Sequence, residues 1–456
     1  MPPYINAVHA LKRNERLFGL TVSCLDSAGR GVVKIKSRAD NRVFSFTKER
    51  LLPGERVTLT VSKMDVTMVK GRRTPVKEYS FDCSVSSCPS PHEVPANCEA
   101  WLKGCRGCKL KNLEISKQWE EKLRIVKEGM EKFGLVEEVK AGQASVAPRL
   151  FARLRFCRTP SGPAVSFKDA ASFTSVPIRH CPALSPGMNK VMDTLLQSLR
   201  NFQVFDERTG KGLLRELIIR EHLGKVLIGI VVAPGSVYDT EALKSELVRL
   251  HETETGNLAS VSFAVSNSDL PGIDDCGDPG LVFERVAGAE AVDGVRISSD
   301  GFHTATVFEE VKRVLKEEVF VEKVLIVNPP RDWPMLRLAR AGDVVLNHVA
   351  EGEHVGEESS YSSFSGDLIN QSGFDFCRIP SSISSVLLTG EVSSRLRDWI
   401  KGKPSISSVW YITPDLKKIV WDAEHLHGVF KMTKCTSIDD SPHNPRAYTI
   451  VKWERR

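Results

Sequence analysis

Hydrophobic positions along this chain follow two rhythms. Between Arg16 and Ser80 they come in short runs that alternate or are rich in β-branched residues: LFGLTVSCLD, GVVKIKS, RVFSFTK and RVTLTVSKM. SAGRG and LLPGER separate them, so closely spaced strands with tight turns are expected, as in a small barrel. After a loop bearing Pro and Cys, Trp119, Leu123, Val126, Met130 and Phe133 recur at helical spacing. They predict a helix through SKQWEEKLRIVKEGMEKFGL with Ser116 as its N-cap. Residues from about 150 to 295 are β-rich again, with a helix near Pro186–Asn201 and a strand pair at LLRELIIREH and KVLIGIVVA. From Phe302 onward helical and strand patterns alternate: ATVFEEVKRVL, VEKVLIVN, DVVLNHV, SSVLLTG, SSRLRDWI, SSVWYIT and LKKIVWDAEHL. That alternation predicts a layered α/β domain. The expected organisation is multidomain α/β, with a β-barrel at 1–82, a cysteine-bearing β-rich central domain at 83–295 and an α/β domain at 296–456.

Composition narrows this only a little. A hydrophobic content of 41% over 456 residues is enough for real cores, and no run of about 18 apolar residues exists, so no membrane span or membrane partner is expected. The net charge of +6 permits a polyanionic partner. Lys34, Lys36, Arg38, Arg42, Lys63, Lys70, Arg72 and Arg73 decorate the predicted barrel, a set that suits a nucleic-acid backbone. A solvated polar face is the other reading of the same residues. The opening MPPYINAVHALKRNERLF has no acid before Glu15 and carries Lys12, Arg13 and Arg16. It reads either as an organellar presequence, giving a mitochondrial location, or as an ordinary exposed terminus of a cytoplasmic or nuclear protein.

The eleven cysteines are odd in number and mostly scattered, which argues against a disulfide-stapled fold. Cys98, Cys105 and Cys108 are the exception, spaced C-x6-C-x2-C, with Cys181 far downstream in IRHCPALSP. Four converging thiolates suit either a [4Fe–4S] cluster or a tetrahedral zinc. Cys83 and Cys88 are spare candidates in the same loop.

One junction raises a question. VLIVNPPRDWPMLRLA reads as a buried strand, a tight turn and a helix capped by Asp332. Nucleotide-binding junctions of this type are usually glycine-rich, because backbone N–H groups must approach the ligand. Here Pro329 and Pro330 occupy it, and proline has no N–H to offer.

The chain resembles, nearly end to end, the S-adenosylmethionine-dependent RNA 5-methyluridine methyltransferases of bacterial rRNA and tRNA. DSAGRGVVKI followed by LLPGERVTLTVSK is similar to the family's OB-like TRAM barrel. SPHEVPANCEAWLKGCRGCKLKNLEISKQWEEK resembles its iron–sulfur segment, although Arg106 replaces a glycine. IRHCPALSPGMN resembles the segment that supplies the fourth ligand. The resemblance therefore implies a [4Fe–4S] cluster on Cys98, Cys105, Cys108 and Cys181, and a C-terminal Rossmann-like methyltransferase domain opening near GVRISSDGFHTAT.

The family's functional residues do not carry over. Its glutamine and asparagine fall on Thr304 and Thr306, and the aspartate and two glycines of its cofactor loop on Ile326, Pro330 and Asp332. The ribose-binding acid falls near Asn347-His348. The uridine-pocket segment falls on Thr389, Gly390 and Glu391. The nucleophilic cysteine falls on Pro414, its asparagine on Asp415, and the catalytic base on Tyr448. Gly366-Asp367 is a two-residue match to the acid near the adenine. Reading VNPPR as the pocket segment instead would leave no room upstream for a cofactor-binding half.

These losses bear on one reaction. Methylation of uracil C5 needs a thiolate to add at C6 and a base to remove the C5 proton. Proline does neither, and a phenol with a pKa of about 10 is a poor base at neutral pH. Cys377 and Cys435 read as buried thiols rather than relocated nucleophiles, and His425, His427 and His443 as solvated loop residues. Trp333, Pro329 and Pro330 would fill the former crevice, or a partner chain would occupy it. The expectation is a pseudo-methyltransferase that needs no S-adenosylmethionine. It would bind structured RNA, rRNA above all, together with proteins of a ribosome assembly intermediate. An active uridine-5-methyltransferase with a remodelled site is the alternative, and a cluster-based redox or iron sensor a third.

Overall fold

The computed structural model describes residues 5–8, 12–37, 43–67, 76–85, 88–134, 148–167, 175–206, 208–234, 237–254, 256–266, 283–292, 295, 297, 305–327, 344–348, 367–371, 379–389, 392–439, 443–445 and 447–456. They form two compact units. The first comprises Met1–Asn97, Cys108–Ile125 and His443–Arg446; the second comprises Cys98–Gly107, Val126–Pro442 and Ala447–Arg456.

Among the described residues the first unit has seven strands: β1 Ile5–Val8, β2 Arg16–Thr21, β3 Cys24–Leu25, β4 Gly31–Ser37, β5 Val43–Lys48, β6 Arg56–Thr67 and β7 Val76–Val85. They pair as two sheets. One has the order β1-β4-β3 with β5 on β4, and the other β2-β6-β7. Alternation along β4 and β6 turns Val33, Ile35, Val57, Leu59 and Val61 inward, where Leu17, Leu20, Val22 and Leu51 complete one core. The described pairings make two sheets and not the closed barrel expected from the strand pattern. β4 approaches the Leu51 backbone so closely that a Cβ on Gly31 would stand 2.5 Å from the Leu51 carbonyl oxygen.

The short helical turn α1 (Glu99–Leu102) opens the second unit's part of the cysteine loop, and helix α2 spans Ile115–Met130. It begins two residues earlier than a cap at Ser116 allows, because the Glu114 carbonyl already accepts the Gln118 N–H at 2.9 Å. Ser116 therefore lies inside the first turn. Within the first unit, buried Glu121 accepts the Leu25 N–H at 2.9 Å and the Arg124 guanidinium donates to the Leu25 carbonyl.

In the second unit come β8 Phe151–Thr159, β9 Gly162–Phe167, α3 Pro186–Ser198, β10 Leu214–His222, β11 Lys225–Val232, α4 Val237–Thr253, β12 Leu258–Val265 and β13 Glu284–Gly288. The strands form a six-stranded sheet of order β13-β12-β11-β10-β8-β9. β10 and β11 form the expected antiparallel hairpin. Residues of α3 and α4, such as Val191, Leu195, Leu243 and Leu247, pack with one face of this sheet. Helix α3 starts where Ser185 accepts the Met188 N–H, with Pro186 at its first position.

The remaining elements are α5 Ala305–Val314, β14 Val324–Val327, β15 Val344–His348, β16 Asp367–Gln371, β17 Ser385–Leu388, α6 Ser394–Gly402, β18 Ser408–Thr413, α7 Leu416–Leu426, β19 Phe430–Asp439 and β20 Ala447–Arg455. They build a seven-stranded sheet of order β16-β15-β14-β17-β18-β20-β19. The first five strands in this order are mutually parallel, and β20 runs antiparallel to both neighbours. β14, β17 and β18 are buried at every position. One face packs with the end of α2 and with α6 and α7, the other with α5. Burial on both faces explains why VLIV, SVLL and SVWYIT read as continuous apolar runs.

Candidate functional site

In an open parallel sheet, ligands bind beyond the carboxyl ends of the strands, where the strand order reverses. Here the chain leaves β14 toward β15 on one side, while β17 and β18 extend the other. The reversal falls between Val327 at the end of β14 and Leu388 at the end of β17. Thr389 closes this point. Its hydroxyl donates to the Val327 carbonyl at 3.1 Å and its N–H reaches the same oxygen at 3.4 Å. The threonine that the resemblance sets in the uridine-pocket segment is half-buried just beyond the end of β17.

The other predicted positions divide sharply. Ile326 is fully buried in the core beside α5. Pro414 is half-buried just beyond β18, on the same carboxyl edge. Asp415 follows it and caps α7, accepting the Lys417 N–H at 3.1 Å. Tyr448 is half-buried on β20 and packs with the α5-side core. Asn347-His348 end β15, and Asp367 opens β16. Cys435 is fully buried in the α7-side core. Thr304, Pro329, Pro330, Asp332, Trp333, Gly366, Cys377, Gly390 and Glu391 lie outside the described residues.

A buried ionic group below the sheet was not anticipated. Arg397 on α6 donates to Asp422 on α7 at 2.5 Å and to the Val392 carbonyl at 2.9 Å. Burial raises the Asp422 carboxyl above its usual range despite the guanidinium, and burial, then the Asp422 charge, holds the Tyr411 phenol well above its own. The sequence signal was a charged residue beside apolar helix positions: Arg397 next to Leu396, and Asp422 next to Ala423.

The cysteines require a correction. Cys98 is the residue before α1, with an extended φ of −153°. The Cys105 N–H donates to Ala100 at 2.8 Å. Cys181 is buried in the α3 core, where Asn189 accepts its N–H at 2.8 Å and donates to its carbonyl at 3.0 Å. These three belong to the second unit and Cys108 to the first. Among the described residues no three Cys, His, Asp or Glu side chains form a group able to hold a metal ion. The [4Fe–4S] cluster, and zinc as its alternative, are therefore not carried further. Cys105 packs against the same core that holds Cys181, but nearness in sequence alone does not assemble a metal-holding group among the described residues.

Of the proposed RNA contacts, Lys34 and Lys36 are half-buried on β4 and Lys63 is exposed on β6. Val33 and Ile35 turn inward, so the lysines between and after them turn outward. Arg38, Arg42, Lys70, Arg72 and Arg73 lie outside the described residues. His425 and His427 are exposed as expected, but they belong to the end of α7, His425 inside it and His427 as its C-cap, and not to a loop. His443 is not a solvated histidine. Its N–H donates to Gln118 Oε1 at 2.9 Å, and Lys111 Nζ lies 3.1 Å from its Nε2. Gln118 Nε2 in turn donates to the carbonyls of Leu110 and Leu113 at 2.9 and 2.7 Å.

A solved structure decides the fold. The Pyrococcus abyssi tRNA (uracil-54, C5)-methyltransferase, in complex with S-adenosyl-L-homocysteine, matches 96% of this chain and 100% of its own at a TM-score of 0.63 and 18% identity. This is a methyltransferase fold. Two curated relatives carry the name uncharacterized RNA methyltransferase. The Enterococcus faecalis protein is 28% identical over 178 residues, 37% of each chain, and the Bacillus cereus protein 24% identical over 207 residues, 43% of this chain and 42% of its own. The match spans about two-fifths of the length of these relatives. No family model matches.

These likenesses correct the expectation of a pseudo-methyltransferase without S-adenosylmethionine. The relatives are named as RNA methyltransferases, and the structure sharing the methyltransferase fold holds the methyl donor's demethylated product. The physical reason is that the switch point is built by strand order. The lack of an N–H at Pro329 and Pro330 is a property of two residues and leaves that strand order unchanged.

Proposed function

We propose that this protein is an S-adenosylmethionine-dependent RNA methyltransferase that acts on uridine C5 through a remodelled site. The observation that carries the reading is the reversal of strand order between Val327 and Thr389, at the carboxyl edge that also bears Pro414. The fold's parts that lie within the described residues fit a nucleotide-type donor: parallel strands buried on both faces, ending together at a switch point. When bound, the donor supplies an electrophilic methyl group. Thr389 would hold the two strand ends at a set separation, and Asp415 fixes the start of α7 beside them.

The outward lysines of the first unit, Lys34, Lys36 and Lys63, would contact RNA phosphates. We put forward rRNA as the substrate class and the mitochondrion as the compartment; sequencing of RNA that co-purifies with the protein tests the first and imaging of a C-terminally tagged chain the second.

A second reading has its own observation. Pro414 and Tyr448 supply neither the thiolate nor the base that C5 chemistry requires. An acceptor already nucleophilic, such as a base nitrogen or a ribose hydroxyl, needs no thiolate. The test is transfer of a labelled methyl from S-adenosylmethionine to RNA, followed by mass spectrometry of the nucleosides. 5-Methyluridine supports the first reading and another methylated nucleoside the second. Absence of transfer to any RNA, with no calorimetric binding of the donor, sinks both.

A further inference from the structure

The sheet β2-β6-β7 carries a side chain that its core does not use. β2 pairs with β6 at Arg16↔Thr60 and Leu17↔Leu59, loses register, and resumes at Leu20↔Val57. Phe18 and Gly19 thus stand opposite Thr58 alone, which is a β-bulge. Strict alternation after Leu17 would turn Leu20 outward. The extra residue returns Leu20 to the core, so Leu17 and Leu20 are 6% and 5% exposed while Phe18 is 70% exposed. Gly19 has φ +63°, and a Cβ there would meet nothing within 4 Å. Glycine is needed at this position for backbone conformation, not for space. The backbone is shaped to keep an aromatic ring in water.

The surroundings suit an anion. Arg16 and Arg56 are exposed on the same two strands, and Lys12 and Arg13 are exposed just before them. Glu15 is engaged locally, accepting the Lys12 N–H at 2.7 Å. Residues 12–67 hold twelve Lys and Arg against six Asp and Glu, a surplus equal to that of the whole chain. An exposed aromatic ring among cations is the arrangement that stacks unpaired bases while charge follows the backbone.

We propose that Phe18 is a nucleobase-stacking residue that takes an unpaired base of the RNA on its ring, with Arg16 and Arg56 on the flanking phosphates. The proposal rests on the RNA-directed function put forward above and adds single-stranded character to the RNA at this face.

The test uses the full chain, a fluorescent single-stranded RNA of about twelve nucleotides and a duplex of equal length, read by anisotropy. Phe18→Ala is expected to weaken single-strand binding roughly five- to tenfold, a typical stacking loss, with duplex affinity and thermal midpoint unchanged. Phe18→Trp should keep the affinity. Arg16→Ala with Arg56→Ala should lower the salt slope by roughly 0.7 for each single-strand phosphate that is no longer neutralised. Equal single-strand affinity of wild type and Phe18→Ala overturns the stacking role and leaves RNA binding standing. Equal weakening on both RNAs also overturns it, as does a loss of self-association in Phe18→Ala with RNA affinity intact, which would make the ring a protein-binding residue. If the wild type binds neither RNA, the RNA-directed function falls and this proposal with it.

Discussion

Single residues set the electrostatics of the second unit. Arg397 is 8% exposed and Asp422 3% exposed, so each charge depends on the other. Arg397→Ala leaves an uncompensated buried carboxylate and is expected to cost roughly 3–5 kcal/mol in urea unfolding. Asp422 also predicts a pH dependence. Its carboxyl lies above its ordinary value of 3.8 in the native state, mainly through burial. The native state therefore keeps the proton better than the unfolded chain does. The associated stability is fully present below about pH 4 and is lost as pH rises through the native value. Asp422→Asn should flatten that slope while lowering stability overall, seen as unfolding midpoints measured from pH 4 to 7. The Gly31 position is a steric counterpart: its missing Cβ would lie 2.5 Å from backbone, so Gly31→Ala should destabilise the first unit by about 1–3 kcal/mol.

At the scale of elements, caps and strand ends carry the predictions. Asn189 binds both backbone groups of Cys181 and donates to the carbonyls of Leu184 and Ser185. Asn189→Ala strands these buried groups, and a loss of about 1–3 kcal/mol is expected. The same variant should expose Cys181 to thiol reagents, measured as a faster labelling rate. Thr389 tests the crevice directly. Thr389→Val keeps the shape but removes the hydroxyl that bonds Val327, so donor binding by calorimetry should weaken roughly fivefold, about the worth of one hydrogen bond. A change confined to stability would make Thr389 a structural lock instead. The bulge at Gly19 belongs to this scale too, because one extra residue re-aims a side chain without disturbing Leu17 or Leu20.

For the whole molecule, charge and strand order matter most. Lys34→Ala, Lys36→Ala and Lys63→Ala together should weaken RNA binding without regard to sequence, lowering the salt slope by roughly 0.9 for each duplex phosphate left without its cation. No helix among the described residues is long and apolar enough to cross a membrane. Much of the fold was legible in the chain. Apolar periodicity marked β10 and β11, the helix at Pro186, and the alternation of β14, β17, α6, β18 and α7, because each is a local property of neighbouring residues. The order β16-β15-β14-β17-β18-β20-β19 was not legible, since which strands pair is settled by packing between segments far apart in the chain.

The amino-acid sequence alone therefore determined the kinds of elements, their approximate bounds, the concentration of cations near the start and the identity of Pro414 and Tyr448 where a thiolate and a base were sought. Only the tertiary structure decided that Thr389 bonds the end of β14, that Cys181 is buried in a core against which Cys105 also packs, that Arg397 meets Asp422, and that Phe18 is exposed. Side-chain period sets which residues share a face of one element. Whether two such faces meet, and what a loop residue points at, depends on burial and hydrogen bonds that exist only once distant segments have packed.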